Sequence, residues 1–215
     1  MQYGDLEDLL SKIKNLPLPG REAHQGMMPE MRQRELQRFT KIPEDARQAG
    51  VMALCYPGTA KQATLVLIQR PSYPGVHSGQ IALPGGRFED DDRDLLETAL
   101  RETEEEVGVP LELMQPVRSL SSLYIPPSNF VVNPYMGIAN SRPQFILQEE
   151  EVAGIIEITL AQLLNESSTS TERLTTSYAR EIEVPAFRFD GHMVWGATAM
   201  ILNEFKSLLR TATSG

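Results

Sequence analysis

The chain has very few cysteine and histidine residues. Its 215 residues include one cysteine and three histidines. A single cysteine excludes an internal disulfide, and because Cys55 lies in an apolar run we expect a buried, unreactive thiol. His24 and His192 have no partner that suggests a shared metal site. The sequence also offers no Ser-His or Cys-His nucleophile pair, so any catalysis by this protein must depend on other groups.

Basic residues and long apolar runs are also scarce. Lys and Arg number 20 against 29 Asp and Glu, giving a net charge of −9, which argues against a nucleic acid as the main partner. No apolar run approaches the roughly 20 residues that span a bilayer. The N-terminus lacks a secretion-signal pattern and the C-terminus is not a peroxisomal address. We therefore expect a cytoplasmic protein that binds neither membranes nor nucleic acids.

The N-terminal part of the chain has a different character from the rest. Apolar residues at helical spacing predict a helix over residues 5–16, which Pro17 ends. Residues 17–43 are rich in Pro, Gly, Arg and Gln without a sustained period, and they predict a linker. We therefore divide the chain into a helix and linker arm at 1–43 and one domain at 44–215. With 41% hydrophobic residues, the chain is long enough for a well-buried core.

The rest of the sequence predicts alternating strands and helices. Short apolar runs between turn residues predict strands at 49–56, 63–69, 80–83, 117–124, 130–138, 154–158 and 182–189. Helices are predicted after Asp94 as N-cap and up to Gly108, and at 160–164 and 194–209. A Ser- and Thr-rich segment, 165–176, predicts a mobile loop. The fold class is α/β, an α/β/α sandwich with a mixed sheet and an N-terminal helical extension.

The most informative segment is a glycine loop, residues 84–86, which leads through an acidic stretch into the helix before Gly108. On that helix Glu102, Glu105 and Glu106 stand at i, i+3 and i+4, so their carboxylates lie within one turn. They are expected at the rim, beside the buried face that contains Ala99 and Val107. Close carboxylates repel one another, and a hard divalent cation removes the conflict while binding substrate phosphates. The segment predicts a Mg²⁺ or Mn²⁺ site for chemistry on phosphate.

Residues 101–109, Arg-Glu-Thr-Glu-Glu-Glu-Val-Gly-Val, closely resemble the second half of the Nudix box, the signature of Nudix hydrolases. Thr103 stands where the pattern has a hydrophobic residue. The first half is one residue longer than usual, and the acidic run 89–92 replaces its early glutamate. The extra residue is typical of the coenzyme A pyrophosphatase branch, which residues 77–86, 124–130 and 195–200 also resemble. The resemblance spans about residues 45–210.

The resemblance implies a Nudix α/β/α fold and a set of site residues. Glu102 and Glu106, with the carbonyl of Gly86, are the implied metal ligands. Glu105 is implied as the ligand of a second metal ion or as the catalytic base. Arg101 would orient the carboxylates as a catalytic residue, where an ordinary surface ion pair is the alternative.

A further catalytic glutamate is implied in a loop just before a strand. Glu151, directly before Val152, is the best match, although residues 149–151 are equally well explained as an acidic loop.

The candidate substrate-binding residues are Arg70, which follows the strand 63–69 and precedes the loop to His77, and three residues that the resemblance implies, His77, Ser128 and Asn129. Each has a simpler interpretation: Arg70 as a solvated strand-end charge, His77 as a loop residue, and Ser128 and Asn129 as turn formers after two prolines.

The resemblance implies a metal-dependent pyrophosphatase that cleaves a nucleoside diphosphate linked to X. The substrate would be coenzyme A or an acyl-CoA, and the products adenosine 3′,5′-bisphosphate and a phosphopantetheine. The branch usually has a Leu-Arg pair where this chain has residues 73–76, Tyr-Pro-Gly-Val. An ADP-ribose or dinucleotide pyrophosphatase is therefore an alternative, as is a non-catalytic Nudix-fold binding module. The N-terminal arm could support a homodimer.

Overall fold

A computed structural model describes residues 1–36, 41–73, 77–174 and 181–214. Within these ranges the α-helices are α1 (Tyr3–Asn15), α2 (Gly20–Gly26), α3 (Glu30–Leu36), α4 (Leu95–Val107), α5 (Leu160–Leu164) and α6 (Gly196–Thr213). The strands are β1 (Arg47–Pro57), β2 (Ala63–Gln69), β3 (Ile81–Ala82), β4 (Gly85–Arg87), β5 (Gln115–Ser119), β6 (Leu123–Ile125), β7 (Phe130–Ile138), β8 (Gly154–Thr159), β9 (Thr169–Leu174), β10 (Ile182–Phe189) and β11 (His192–Trp195). No helix in these ranges is long and apolar enough to cross a membrane.

Strand β1 is the centre of the main sheet, whose order is β3-β2-β1-β7-β5. It runs parallel to β7, from the pair Arg47 and Phe130 to the pair Cys55 and Ile138. It is antiparallel to β2 and also to β4, where Gly50 pairs with Gly86. Strands β9, β10 and β11 form a separate antiparallel sheet. The main sheet is therefore mixed, as predicted.

Alternate side chains of β1 enter two different cores. Met52 and Leu54 share one core with Ala99 and Val107 of α4. Cys55 belongs to the core on the opposite face, to which α1 and α6 contribute. Because successive strand side chains point to opposite faces, one strand joins both layers. The predicted α/β/α sandwich is confirmed.

The thiol of Cys55 is fully buried, as expected, and burial raises its pKa. A thiol of this kind stays protonated, so it is neither a nucleophile nor a metal ligand under ordinary conditions.

The predicted start and end signals of helix α4, Asp94 and Gly108, are also confirmed. The Asp94 side chain accepts a hydrogen bond from the backbone N–H of Glu97, 2.9 Å away, and Gly108 adopts a left-handed φ of 70°. A side-chain oxygen at the N-cap satisfies a backbone donor that has no partner within the helix, and glycine adopts the left-handed conformation without steric cost. The carboxylate-bearing helix is thus fixed at both ends by local sequence.

Several predicted elements have different bounds, and strand pairing explains two of the differences. Residues 117–124 were expected to form one strand, but β5 and β6 are separate, with Leu120 N–H bonded instead to the carbonyl of Pro134. A register shift between Pro116 and Arg118 interrupts the pairing of β5 with β7. The closing helix was expected from Val194, but residues 192–195 pair with β10 and the helix begins at Gly196.

Two segments predicted to be irregular contain regular structure. The linker at 17–43 includes α2 and α3, and α2 is held to α6 by a bond from Asn203 Nδ2 to the carbonyl of Ala23. Short helices of this kind depend on tertiary packing, which leaves no period in the sequence. In the predicted loop at 165–176, residues 169–174 form β9 and pair with β10; residues 175 and 176 lie outside the described ranges.

Helix α1 does not stand apart from the sheet. Leu6 and Ile13 are fully buried, and they belong to the same core as residues of β1, β2 and α6. The Arg118 guanidinium donates to the carbonyl of Leu16, beyond the end of α1, over 2.8 Å. The division between an arm at 1–43 and a domain at 44–215 stays a prediction.

We predict that Gly50→Ala destabilises the protein and that Gly154→Ala does not. A Cβ at Gly50 would lie 2.2 Å from the carbonyl oxygen of Leu95, at the start of α4, whereas nothing lies within 4 Å at Gly154. Overpacking should lower the free energy of unfolding by about 1–3 kcal/mol in Gly50→Ala. The change in Gly154→Ala should be within about 0.5 kcal/mol. Urea denaturation measures both, and equal midpoints would contradict close packing of α4 on β1.

Candidate active site

Two glycines bring the backbone of β4 against the carboxylates of α4. Gly85 has a φ of 141°, and a Cβ there would lie 2.3 Å from the carbonyl oxygen of Gly50. A Cβ on Gly86 would lie 2.3 Å from Oε2 of Glu102. A side chain at Gly85 would therefore collide with β1, and one at Gly86 would collide with the Glu102 carboxylate.

The three glutamates differ in their surroundings. Glu106 is 2% exposed, and its Oε2 accepts a hydrogen bond from Gly85 N–H over 2.8 Å. Glu102 is 9% exposed, while Glu105 is exposed to solvent. The expectation that all three lie at the rim is therefore wrong for Glu102 and Glu106, because β4 covers them.

Burial controls the protonation of the two covered carboxyls. Desolvation raises the pKa of Glu106 to about 8, with the charges of Glu102 and Glu151 adding to the rise and the Gly85 N–H and Arg70 opposing it. Desolvation also raises the pKa of Glu102, against the opposing effect of Arg101. A low-dielectric environment disfavours the charged carboxylate, and a nearby cation restores it.

Arg101 joins the carboxylates into one network. Its guanidinium donates through Nε and Nη2 to the two oxygens of Asp92, over 2.8 and 3.0 Å. Its Nη1 donates to Glu102 over 3.0 Å and to Glu105 over 3.1 Å. The planar fork of arginine suits this task, since one side chain can orient three carboxylates at once.

Asp92 is a site residue that sequence reasoning did not single out. It is buried, and besides Arg101 it accepts hydrogen bonds from Thr98 Oγ1 and from the N–H of Glu89. The bonds from Arg101, followed by those from Glu89 and Thr98, hold the pKa of the Asp92 carboxyl well below its usual range despite burial. The only signal in the sequence was the acidic run 89–92, where one member replaces the early glutamate of the motif.

The site contains the oxygen donors that a hard divalent cation requires. Glu102 and Glu106 are carboxylates with raised pKa values, and the glycine at position 86 leaves room beside Glu102. In the described part of the chain, no three His, Cys, Asp or Glu side chains have the geometry of a metal site. The Nη1 of Arg101 bonds to both Glu102 and Glu105 instead. The donor chemistry fits Mg²⁺ or Mn²⁺, since both prefer oxygen ligands.

Two adjoining cavities meet at the glycine loop. One, of about 520 Å³, is lined by Glu102, Glu105 and Glu106 together with Glu150 and Glu151. The solvent-exposed Glu151 of the acidic loop is thus brought to the helix glutamates.

The second cavity is more apolar. It has a volume of about 290 Å³ and is lined mainly by side chains of the sheet and α6, such as Val51, Ile125 and Ile201. Arg70 and Arg87 line both cavities. Buried Nε of Arg70 has no hydrogen-bond partner anywhere in the described ranges. An unpartnered buried donor is costly, so such an atom is unusual in a folded protein.

The other predicted substrate-binding residues lie in different surroundings. His77 and Ser128 both line the apolar cavity. The His77 ring bonds through Nδ1 to Gln80 Oε1 over 3.1 Å, and burial lowers its pKa. Asn129 has a left-handed φ of 53°, accepts from Tyr124 and donates to Asp45, so it stabilises a turn. The segment 74–76, where the expected Leu-Arg pair is missing, lies outside the described ranges.

Comparison with known protein families gives a match over this region. The NUDIX domain model matches residues 46–176. The uncharacterized Nudix hydrolase NudL of Yersinia pestis (strain Pestoides F) is 33% identical over 160 residues, covering 74% of this chain and 77% of that protein. NudL of Yersinia pseudotuberculosis serotype O:1b (strain IP 31758) is similar to the same extent.

Solved structures share the fold. The Nudix hydrolase RenU of M. smegmatis has a TM-score of 0.52 at 15% identity, over 77% of this chain and 87% of that one. A MutT/nudix family protein from Enterococcus faecalis has a TM-score of 0.50 at 19% identity, over 84% and 69% respectively. The matched family model and the NudL relatives carry the assignment: this chain belongs to the Nudix hydrolases, enzymes that act on pyrophosphate bonds of small-molecule nucleotides and generally need divalent metal ions.

Proposed function

We propose that this Nudix hydrolase cleaves the diphosphate of coenzyme A or an acyl-CoA, releasing adenosine 3′,5′-bisphosphate and a phosphopantetheine. The observation that carries this proposal is that an apolar cavity and a carboxylate-lined cavity adjoin at the glycine loop. Arg70 lines both cavities. Such an arrangement suits a molecule with a charged diphosphate joined to a long and mostly uncharged arm. The arm would enter the apolar cavity while the diphosphate lies against the carboxylates.

The helix carboxylates would hold the metal. Glu102 and Glu106, with the carbonyl of Gly86, are the proposed ligands, and Glu105 either binds a second ion or accepts a proton from water. Glu151, in the same cavity, is a further ligand or base. When bound, divalent metal supplies neutralisation of the phosphate oxygens and activation of water. Arg101 keeps the carboxylates oriented through the bonds that it makes to Glu102 and Glu105.

Arg70 is proposed to bind substrate phosphate. Its Nε is buried without a partner in the described part of the chain, and its guanidinium lies close enough to lower the pKa of both Glu106 and His77. His77 and Ser128 would contact the arm in the apolar cavity. The Asn129 side chain is bonded to Tyr124 and Asp45. Asn129 would therefore stabilise the turn that positions Ser128 and would not contact the substrate directly.

Glu105→Gln and Glu106→Gln should each lower kcat by at least about 10²-fold, the lower end of the loss of an acid–base or electrostatic group. The fold should survive, because each change removes one of several like charges. Glu97→Gln is the matched control, because Glu97 lies on the same helix, is half-exposed and pairs with Arg93 rather than with the site; the rate of this variant should stay within twofold of wild type. Steady-state kinetics at saturating Mg²⁺ measure the three variants, and near-wild-type rates in both site variants would remove this cluster from the mechanism.

Metal should stabilise the protein. A ligand that binds only the folded state adds RT ln(1 + [L]/Kd), so free Mg²⁺ at ten times its Kd should add about 1.4 kcal/mol. The melting temperature should rise with Mg²⁺ or Mn²⁺, less in Glu102→Gln and as in wild type in Glu97→Gln. A melting temperature that stays constant up to high millimolar concentrations of both ions would argue against metal binding.

Coenzyme A carries a 3′-phosphate that dephospho-coenzyme A lacks. Coenzyme A should have the higher kcat/KM. In Arg70→Ala, the ratio of kcat/KM for coenzyme A to that for dephospho-coenzyme A should fall at least about tenfold, which is the effect of one hydrogen bond to a charged group. Arg87→Ala is the comparison variant, since Arg87 lines the same two cavities but is exposed.

Mixed assays at one Mg²⁺ concentration measure these ratios. If Arg87→Ala narrows the difference and Arg70→Ala does not, the phosphate contact belongs to Arg87. If ADP-ribose is cleaved faster than either compound, the coenzyme A assignment is wrong while membership of the family stands.

A further inference from the structure

We propose that α3 and strands β9 and β10 form a subsite for the acyl chain of an acylated coenzyme A. This inference rests on the proposed function and adds a location and a chain-length preference to it. The subsite is a groove of about 940 Å³. Most of its walls, in α3 and β10, lie outside residues 46–176, the part of the chain that matches the family model. The groove is therefore a feature that family membership does not supply.

A third, smaller cavity adjoins both the groove and the apolar cavity of the active site, and it shares lining residues with each. That connecting cavity shares His77, Gln80, Ile125 and Ala197 with the apolar cavity. At its other end it shares Pro29, Arg32, Pro126 and Pro127 with the groove. The three spaces thus follow one another, away from the carboxylates and towards α3.

The connecting cavity is the smallest of the three spaces. It has a volume of about 60 Å³, against about 290 and 940 Å³ for the two cavities beside it. A slender, unbranched chain suits so small a space better than a base or a sugar ring. The apolar cavity itself, at about 290 Å³, lies just below the range of about 300–1,000 Å³ typical of ligand pockets. A long acylated arm therefore has to continue beyond it.

The lining of the groove favours an uncharged occupant. Its apolar members include Met28, Pro29, Met31, Pro127, Ile182 and Pro185. The charged side chains that also line it are already paired within the protein. Arg32 bonds to Glu35, Arg34 to Glu30, and Glu183 to Arg173. Because these pairs neutralise one another, the groove offers apolar surface without a net charge to attract an ionic group.

A chain-length series tests this subsite. Wild-type kcat/KM should rise at least about tenfold from acetyl-CoA to dodecanoyl-CoA, since every methylene buried in an apolar groove stabilises the complex. Met31, 42% exposed, is the position to change. Met31→Glu should remove most of the rise while leaving kcat/KM for free coenzyme A within twofold. Leu111→Glu is the matched control, because Leu111 is 45% exposed and does not line the groove among the described residues; it should keep the full rise.

Each outcome distinguishes this inference from the proposed function. Hydrolysis of coenzyme A with no dependence on chain length would overturn the subsite and leave the proposed function standing. Equal losses of kcat/KM for coenzyme A and dodecanoyl-CoA in Met31→Glu, with the melting temperature unchanged, would also overturn the subsite. If none of these compounds is cleaved while another nucleoside diphosphate is, the substrate assignment and the subsite are both wrong.

Discussion

The structure of the site depends on one guanidinium held among several carboxylates. Arg101 makes two hydrogen bonds to the buried Asp92 and one each to Glu102 and Glu105. Without it, the carboxylates on one turn of α4 would repel one another in surroundings from which β4 excludes water. Asp92 in turn keeps Arg101 in place, and the pKa of Arg101 is raised chiefly by that pair. The orientation of Glu102 and Glu105 thus depends, through Arg101, on a residue of the loop before the helix.

Close backbone packing places this network beside the two cavities that meet at the glycine loop. Gly50, Gly85 and Gly86 each stand where a Cβ would come within about 2.3 Å of a neighbouring atom. Helix α4 therefore lies directly on β1, and the glycine loop lies directly on α4. The same contacts that fix the helix also bury Glu106 and Glu102, so their raised pKa values follow from the packing of the fold. A nearby cation would favour the charged form of both carboxyls.

The N-terminal segment has a larger part in the structure than its composition suggests. Helix α1 contributes Leu6 and Ile13 to the core, and the buried Glu204 of α6 accepts hydrogen bonds from Gly20 and Ser121 and pairs with His24. These contacts fix α2 against the closing helix and so place the start of α3 near the active-site cavities. The part of the chain outside the matched family region is therefore positioned by buried polar contacts as well as by apolar packing.

The sequence by itself determined the elements whose signals are local. The strands 63–69 and 130–138, the short helix 160–164, and the cap residues Asp94 and Gly108 follow from runs of apolar residues and from residues that satisfy or end a helix. The glutamate spacing on α4 likewise indicated the family and the chemistry. Only the tertiary structure decided that Asp92 pairs with Arg101, that Glu106 is buried while Glu105 is exposed, and that β9 pairs with β10. These features depend on contacts between residues distant in the chain or on the shielding of one element by another, and neither leaves a periodic pattern in the sequence.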